Sequence, residues 1–519
     1  MAGRPGVRPR TGAIPRRRWL SLGVPAALAL TTGIASPTIA ATSVTAAGIG
    51  VDPADTGSLS AVTRIVGAQD AWAQGWTGRG VDVAVVDTGV ARVAGLGAPG
   101  QVIDGPDLSF DAGTGGPAGV DGFGHGTFMA GIIAGRDVGV SGSTSGCTTC
   151  LNSSGFSTTS SYVGVAPQSR IVNVKVGAYD GAADVTQVIA AVDWVTQHAH
   201  DPGMNIRVLN LSYGADSAQP YIVDPLAQAV EQAWLHGIVV VASAGNEGKS
   251  VPQLADPAYD PYVVAVGGLD PRGRVSSADD KVAKFAEHGS PARPVDVIAP
   301  AVSVVGLRVP GSYVDTLPTN VGQVGDRFQL GSGTSQAAAV ASGVAALIVQ
   351  SHPQATPDQV KALLTGTAAT LAKGNKSADD PKTLAYSGHG TVNAAAAVAA
   401  PLPDGAASAQ RFPVATGTGT LDATRNGVYV TDGGVDLTGQ RDIFGQAFDA
   451  GLMAASQAQA RSWAGGVWNG SRWSGEDWTT TGWAGSRWSG ARWSGASWDG
   501  ARWSGASWDG ARWSSASWG

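Results

Sequence analysis

The chain has 519 residues, enough for one large α/β domain of roughly 250–350 residues plus appendages at both ends. Only 14% of residues are charged and 74 are glycine, a balance that suits a compact globular enzyme and excludes a disordered or fibrous chain. A formal net charge of −6 excludes a nucleic-acid partner, which needs a basic surface to neutralise phosphates.

At the N-terminus, Arg4, Arg8, Arg10, Arg16, Arg17 and Arg18 precede an apolar run from Trp19 to about Ala35, with small residues at Ile39-Ala40-Ala41. This reads as an export signal over 1–40 with a cleavage site at its end. Arg16-Arg17-Arg18-Trp19-Leu20 fits a twin-arginine signal and a generic basic n-region equally well. No later stretch approaches 18 consecutive apolar residues, so no membrane span is expected in the mature protein, which is read as secreted. Residues 41–62 form a short linker or pro-segment.

From about Thr63 Val-rich runs alternate with helical patterns. Val81–Val86, Ile171–Val176, Val208–Leu211, Ile238–Ala242 and Val263–Val266 are strand candidates; Val185–Ala199 and Pro225–His236 are helix candidates. This alternation predicts βαβ units: a three-layer, doubly wound, mostly parallel sheet over residues 63–400. In such sheets the chemistry gathers at the carboxyl ends of the strands.

The two cysteines, Cys147 and Cys150, are spaced C-x-x-C in a Ser/Thr/Gly-rich stretch. In an exported chain they read as a local disulfide, and two thiols are too few for structural zinc. Residues 401–460 form a linker or small accessory region, with a hairpin expected over Asn426–Leu437 and a helix over Phe444–Ala460. Residues 461–519 are a repeat: Trp463, Trp468, Trp473, Trp478, Trp483, Trp488, Trp493, Trp498, Trp503, Trp508, Trp513 and Trp518 recur every five residues. Five is neither the helical nor the strand period. The repeat is open to three readings: a stacked structural array, a module that presents Trp to carbohydrate or a cell surface, and a solvated tail. Attachment is the preferred one.

Asp87 follows a strand in Val85-Val86-Asp87-Thr88-Gly89, where a turn role competes with catalysis. His125 sits between glycines before an apolar helical run; a surface-loop histidine is its bland alternative. Ser335, in Gly333-Thr334-Ser335, opens a long run of small apolar residues, where an N-cap role competes with that of a nucleophile. The chain order is Asp, His, Ser, with Asn246 between His and Ser. That order departs from the Ser, acid, His order of α/β-hydrolases and from the His, Asp, Ser order on an all-β scaffold.

The blocks Asp87-Thr88-Gly89, His125-Gly126-Thr127, Leu211-Ser212-Tyr213-Gly214, Ala244-Gly245-Asn246 and Gly333-Thr334-Ser335 resemble those of the subtilisin-like serine proteases, and the resemblance runs from about Ile65 to Ala395. It implies that Ser335 is the nucleophile, His125 the base and Asp87 its orienting partner. Asn246 would complete an oxyanion hole, and Ser212, Tyr213 and Gly214 would pair with an extended polypeptide substrate. No cofactor is implied for catalysis. The resemblance allows structural calcium, for which Asp104, Asp107 and Asp111 are the carboxylates nearest the triad Asp in sequence. No metal ligands are assigned. Gln336, Ala339 and Phe128 stand where the family usually has Met, Pro and often His. The 22 residues of 41–62 are too few for the folded prodomain many relatives carry, which needs at least about 50. Folding without a prodomain, or with help from the C-terminal region, is therefore expected. A catalytically silent scaffold that binds surfaces through the repeat is the alternative function.

Overall fold

The computed structural model describes residues 58–112, 119–137, 162–248, 251, 253–272, 275, 280–317, 322–324, 326–371, 381–432 and 435–473, with four two-residue strands between 492 and 507. Residues 1–40, expected to be an export signal, and Cys147 and Cys150 lie outside the described residues. Among the described residues no helix is long and apolar enough to cross a membrane.

Val83, Ala84, Val85 and Val86 are fully buried, and a strand so rich in valine is stable only where both faces of the sheet are covered. It forms β1 (Asp82–Asp87), at the middle of the sheet. The parallel order is β2 (Val102–Asp107), β3 (Arg170–Lys175), β1, β4 (Ile206–Leu211), β5 (Val239–Ser243) and β6 (Val264–Asp270). The two-residue β7 (Lys281–Val282) runs antiparallel to β6, and β8 (Val297–Pro300) pairs with β6 in parallel. The chain leaves β1 toward β2 and β3 on one side and toward β4, β5 and β6 on the other. The direction of winding thus reverses at β1, where such sheets form their ligand crevice. A small antiparallel sheet joins β9 (Val304–Leu307), β10 (Gln323–Val324) and β11 (Phe328–Gly331).

Helices α1 (Leu59–Ile65) and α2 (Ala68–Ala73) precede β1. One face of the sheet carries α3 (His125–Ala134) and α7 (Thr334–Ser351), which pack on each other; the other carries α4 (Val185–His198) and α5 (Pro225–Leu235). Caps written in the sequence start several of these. Asp184 and Gln187 form a capping box on α4, and Asp224 caps α5 ahead of Pro225 at its first position. Helix α7 is buried from Thr334 to Val349 and is mostly small and apolar on every side, as a buried helix must be. The short α6 (Tyr313–Thr316), α8 (Pro357–Gly366), α9 (Pro381–Ser387), α10 (Ala394–Ala399) and α11 (Gly405–Ser408) fill the connections.

Residues 412–473 pack along α4 and α5 through α12 (Leu421–Arg425), α13 (Ala450–Gln457) and Trp463. The expected hairpin is present as β12 (Thr431–Asp432) against β13 (Val435–Asp436). The helix expected over Phe444–Ala460 is confined to Ala450–Gln457. The Asp442 carboxylate accepts from the backbone N–H of Phe444 (2.9 Å) and Gln446 (3.0 Å), which holds that stretch in a turn. Asp449 then caps α13 by accepting from Leu452 N–H.

The start of the tryptophan repeat is a three-stranded meander of β14 (Trp463–Ala464), β15 (Val467–Trp468) and β16 (Ser471–Arg472). Its two-residue turns are Gly465-Gly466 (φ 58° and 84°) and Asn469-Gly470 (φ 47° and 79°), the type I′ geometry that suits a tight hairpin. Across such a turn residues i and i+5 face each other, as Trp463 and Trp468 do. Across the second turn Trp468 faces Ser471, so successive tryptophans do not keep the same place in their strands. The rings of Trp463, Trp468 and Trp473 are buried against one another, Phe444 and Phe448. Two-residue strand pairs recur at Arg492–Trp493 with Ala496–Ser497 and at Arg502–Trp503 with Ala506–Ser507.

Candidate active site

Asp87 is the last residue of β1, at the carboxyl edge where the winding reverses. His125 is the first residue of α3, and its Nδ1 lies 2.7 Å and 2.9 Å from the two Asp87 carboxylate oxygens. Both side chains are buried. Asp87 Oδ1 also accepts from Thr88 N–H at 2.7 Å. Burial raises the Asp87 carboxyl above its ordinary value, against the lowering pull of His125. With a carboxylate facing Nδ1, the proton of neutral His125 sits on Nδ1, leaving Nε2 as the acceptor.

The approach of these two groups depends on Gly126. A Cβ there would fall 2.1 Å from the Gly89 carbonyl oxygen and 3.1 Å from Asp87 Cβ, so only glycine lets α3 start against β1. The α3 terminus is held by Asp121, which sequence reasoning missed. Its Oδ1 accepts from Gly124 N–H (2.6 Å) and the Thr88 hydroxyl (2.8 Å), and its Oδ2 from Thr127 N–H (2.8 Å). The available signal was an Asp in the loop just before the glycine-flanked helix start, where a short acidic side chain can accept from nearby backbone N–H groups.

Ser335 is the second residue of α7. The N-cap is Gly333, so Ser335 is not the cap. Asn246, just past β5, is joined to that terminus. Its Oδ1 accepts from Thr334 N–H (2.8 Å) and the Thr334 hydroxyl (3.0 Å). With Oδ1 engaged, Nδ2 is the end of the amide able to donate elsewhere. Ser212, just past β4, donates its hydroxyl to the Ser335 carbonyl at 3.3 Å and accepts from Asn210 Nδ2 at 3.0 Å. Asp87, His125, Ser212, Asn246 and Ser335 thus gather at the carboxyl edge of the sheet. Tyr213 and Gly214 follow Ser212 along that edge.

Glu287, another residue the sequence reading passed over, underlies the Asn246 loop. Its Oε1 accepts from Glu247 N–H (3.1 Å), and burial pushes its carboxyl up to about 8. A Cβ on Gly245 (φ 110°) would sit 2.2 Å from Glu287 Oε2, so loop and carboxyl fit only with glycine there.

The carboxylates considered for calcium have protein partners: Asp104 pairs with Arg92 (2.7 Å), Asp107 accepts from Ser109 and Gly119, and Asp111 pairs with Lys175 (3.1 Å). Among the described residues no group of three or more His, Cys, Asp or Glu could share a metal ion. Phe128 fills space left by Gly306 and Gly331, where a Cβ would approach its ring to 2.5 Å and 2.7 Å.

A doubly wound sheet with a buried acid–imidazole contact at its switch point and a serine on a neighbouring helix start defines a hydrolase of the serine type. The model of the subtilase family matches residues 78–390, more than half of the chain, and the chain belongs to that family. It is 37% identical over 294 residues to the serine protease AprX of Bacillus subtilis, a match that covers 56% of this chain and 61% of AprX. It is 31% identical over 309 residues to subtilisin DY of Bacillus licheniformis, covering 59% of this chain and 90% of that one. The solved structure of fervidolysin from Fervidobacterium pennivorans, a keratinolytic enzyme related to subtilisin, superposes with a TM-score of 0.50 at 28% identity. That superposition covers 68% of this chain and 48% of fervidolysin. The matched region is a serine-type endopeptidase domain with the subtilisin-like fold.

Proposed function

We propose that this chain is a secreted serine endopeptidase that cleaves polypeptides through an acyl-enzyme, with Asp87, His125 and Ser335 as its triad. The observation that carries the reading is the buried contact of His125 Nδ1 with both Asp87 oxygens, in a family whose chemistry needs no cofactor. His125 Nε2 takes the Ser335 Oγ proton as Oγ attacks the scissile carbonyl carbon. The oxyanion is met by Asn246 Nδ2–H and the Ser335 N–H at the start of α7, and losing one such donor costs about 10²–10³ in kcat. Collapse breaks the C–N bond, His125 returns the proton to the leaving amine, and water then repeats the sequence to free the acid. An extended substrate lies along Ser212, Tyr213 and Gly214 and adds a strand there.

In this reading 1–40 is the export signal, 41–62 a linker, 63–400 the peptidase domain, 401–460 an accessory region and 461–519 the repeat tail. Attachment to a cell surface or carbohydrate would fall to tryptophans beyond Trp473, since the rings of Trp463, Trp468 and Trp473 are covered. The test is hydrolysis of casein by the secreted chain and by Ser335→Ala. The variant is expected to fold and to lose on the order of 10⁶ in kcat, the loss seen when a subtilisin is stripped of its nucleophile. Unchanged hydrolysis by Ser335→Ala rejects the reading.

A further inference from the structure

Asn246 is fastened from two directions. Its side chain is tied to the start of α7, where Oδ1 accepts from the N–H and the hydroxyl of Thr334. Its backbone is gripped by the segment that follows β7. Glu287 N–H donates to the Gly245 carbonyl (3.0 Å), and Glu287 Oε1 accepts from Glu247 N–H (3.1 Å). One residue thus holds the chain on both sides of Asn246. Gly248 N–H adds a bond to the Phe285 carbonyl (2.7 Å).

The Glu287 carboxyl has little room to move while the loop keeps its place. The residue is 1% exposed, and a Cβ on Gly245 would fall 2.2 Å, 2.3 Å and 2.5 Å from its Oε2, Cδ and Oε1. Among the described residues, the charged groups that face it are Asp216, in the loop after β4, and Glu247, in the Asn246 loop. Both are acids. Lys284 is exposed, and the ring of His288 lies on Tyr386, with centroids 4.0 Å apart. The N–H groups of Glu247 and Ala255 favour the carboxylate, but burial outweighs them and pushes the carboxyl up to about 8. Ionising it places a third negative charge in this corner, away from water.

We infer that Glu287 is a positioning residue of the oxyanion hole: with its backbone N–H and an uncharged carboxyl it sets the loop that aims Asn246 Nδ2 at the scissile carbonyl. The inference rests on Asn246 serving as an oxyanion donor. An ionised carboxyl adds negative charge under the loop that must stabilise an oxyanion. It is also drawn toward water and loosens its hold on Gly245 and Glu247. A donor moved off the oxyanion weakens binding of the transition state and leaves binding of the substrate nearly unchanged, so the effect falls on kcat.

The test is kcat and KM against pH for a quenched fluorescent peptide spanning a casein bond that the enzyme cuts, read within seconds of a jump from about pH 7. Wild-type kcat is expected to fall about tenfold or more by about pH 9.5, part of the 10²–10³ that losing a donor outright costs, with KM changed less than about threefold. Glu287→Ala, which removes the acceptor for Glu247 N–H, is expected to lose about tenfold in kcat already at about pH 7. Glu287→Gln keeps the shape and the acceptor and cannot ionise. It is expected to restore most of that loss and to keep kcat level up to about pH 9.5. The same alkaline fall in Glu287→Gln, or a wild-type kcat that stays level, overturns the inference. Failure of the catalytic reading would show differently, as Ser335→Ala or Asn246→Ala cleaving the peptide as fast as the wild type.

Discussion

Gln336 stands directly after the proposed nucleophile, fully buried, and neither end of its amide has a hydrogen-bond partner among the described residues. A buried polar group left unpaired costs about 1–3 kcal/mol. Methionine has a similar volume and no amide to satisfy. Gln336→Met is therefore expected to raise the free energy of unfolding in urea by about 1–3 kcal/mol. It is also expected to bring rapid loss of activity in mild peroxide, because a thioether oxidises and an amide does not. A variant no more stable than the wild type would show that the amide is satisfied after all. At this scale the candidate residues Asp87, His125, Ser335 and Asn246 were legible as types in order. Their supports were not: Asp121, Gly126 and Glu287 act through contacts of one atom with another, and local sequence carries only faint marks of such contacts.

The major elements follow from patterns in the chain. Val-rich runs became β1 and β3 to β6, and Asp184 and Asp224 mark the starts of α4 and α5. The tryptophan repeat read as neither a standard helix nor a standard strand, and its start consists of two-residue strands alternating with two-residue turns. Its first unit docks on α4 through Asp193, whose carboxylate accepts from Trp468 Nε1 (2.8 Å) and Gln457 Nε2 (3.0 Å). Burial outweighs these bonds and pushes the Asp193 carboxyl up to about 7. Docking therefore favours the protonated acid. Its contribution is complete below the ordinary carboxyl value near 4 and is lost as the pH rises through about 7. Release of the 461–519 segment by limited proteolysis is expected to be several-fold faster at pH 8 than at pH 5 relative to cleavage in loops elsewhere. Asp193→Asn should flatten that dependence, and a variant with the wild-type pH profile would refute the linkage.

For the whole molecule, the peptidase core and residues 401–473 share one interior. Arg425 and Asp184, 241 residues apart, form a buried pair, and Trp463 Nε1 donates to the Ala190 carbonyl on α4. No local pattern announces such a pairing, and this is why residues 401–460 read as a linker or small accessory region. The family-matched region stops at residue 390. What lies beyond it covers the α4 and α5 face and bonds to the loop after β4, where Asn426 Nδ2 donates to the Asp216 carbonyl (2.7 Å). The proposed catalysis itself depends on Ser335 as the nucleophile. A serine-directed phosphonofluoridate, followed by mass spectrometry of the digested protein, tests this most directly. A single adduct on the peptide carrying Ser335 is expected, absent from Ser335→Ala and formed about 10⁴-fold more slowly in Asp87→Asn, where the imidazole loses its orienting carboxylate. An adduct on another residue, or folded protein that takes no label, would contradict the triad.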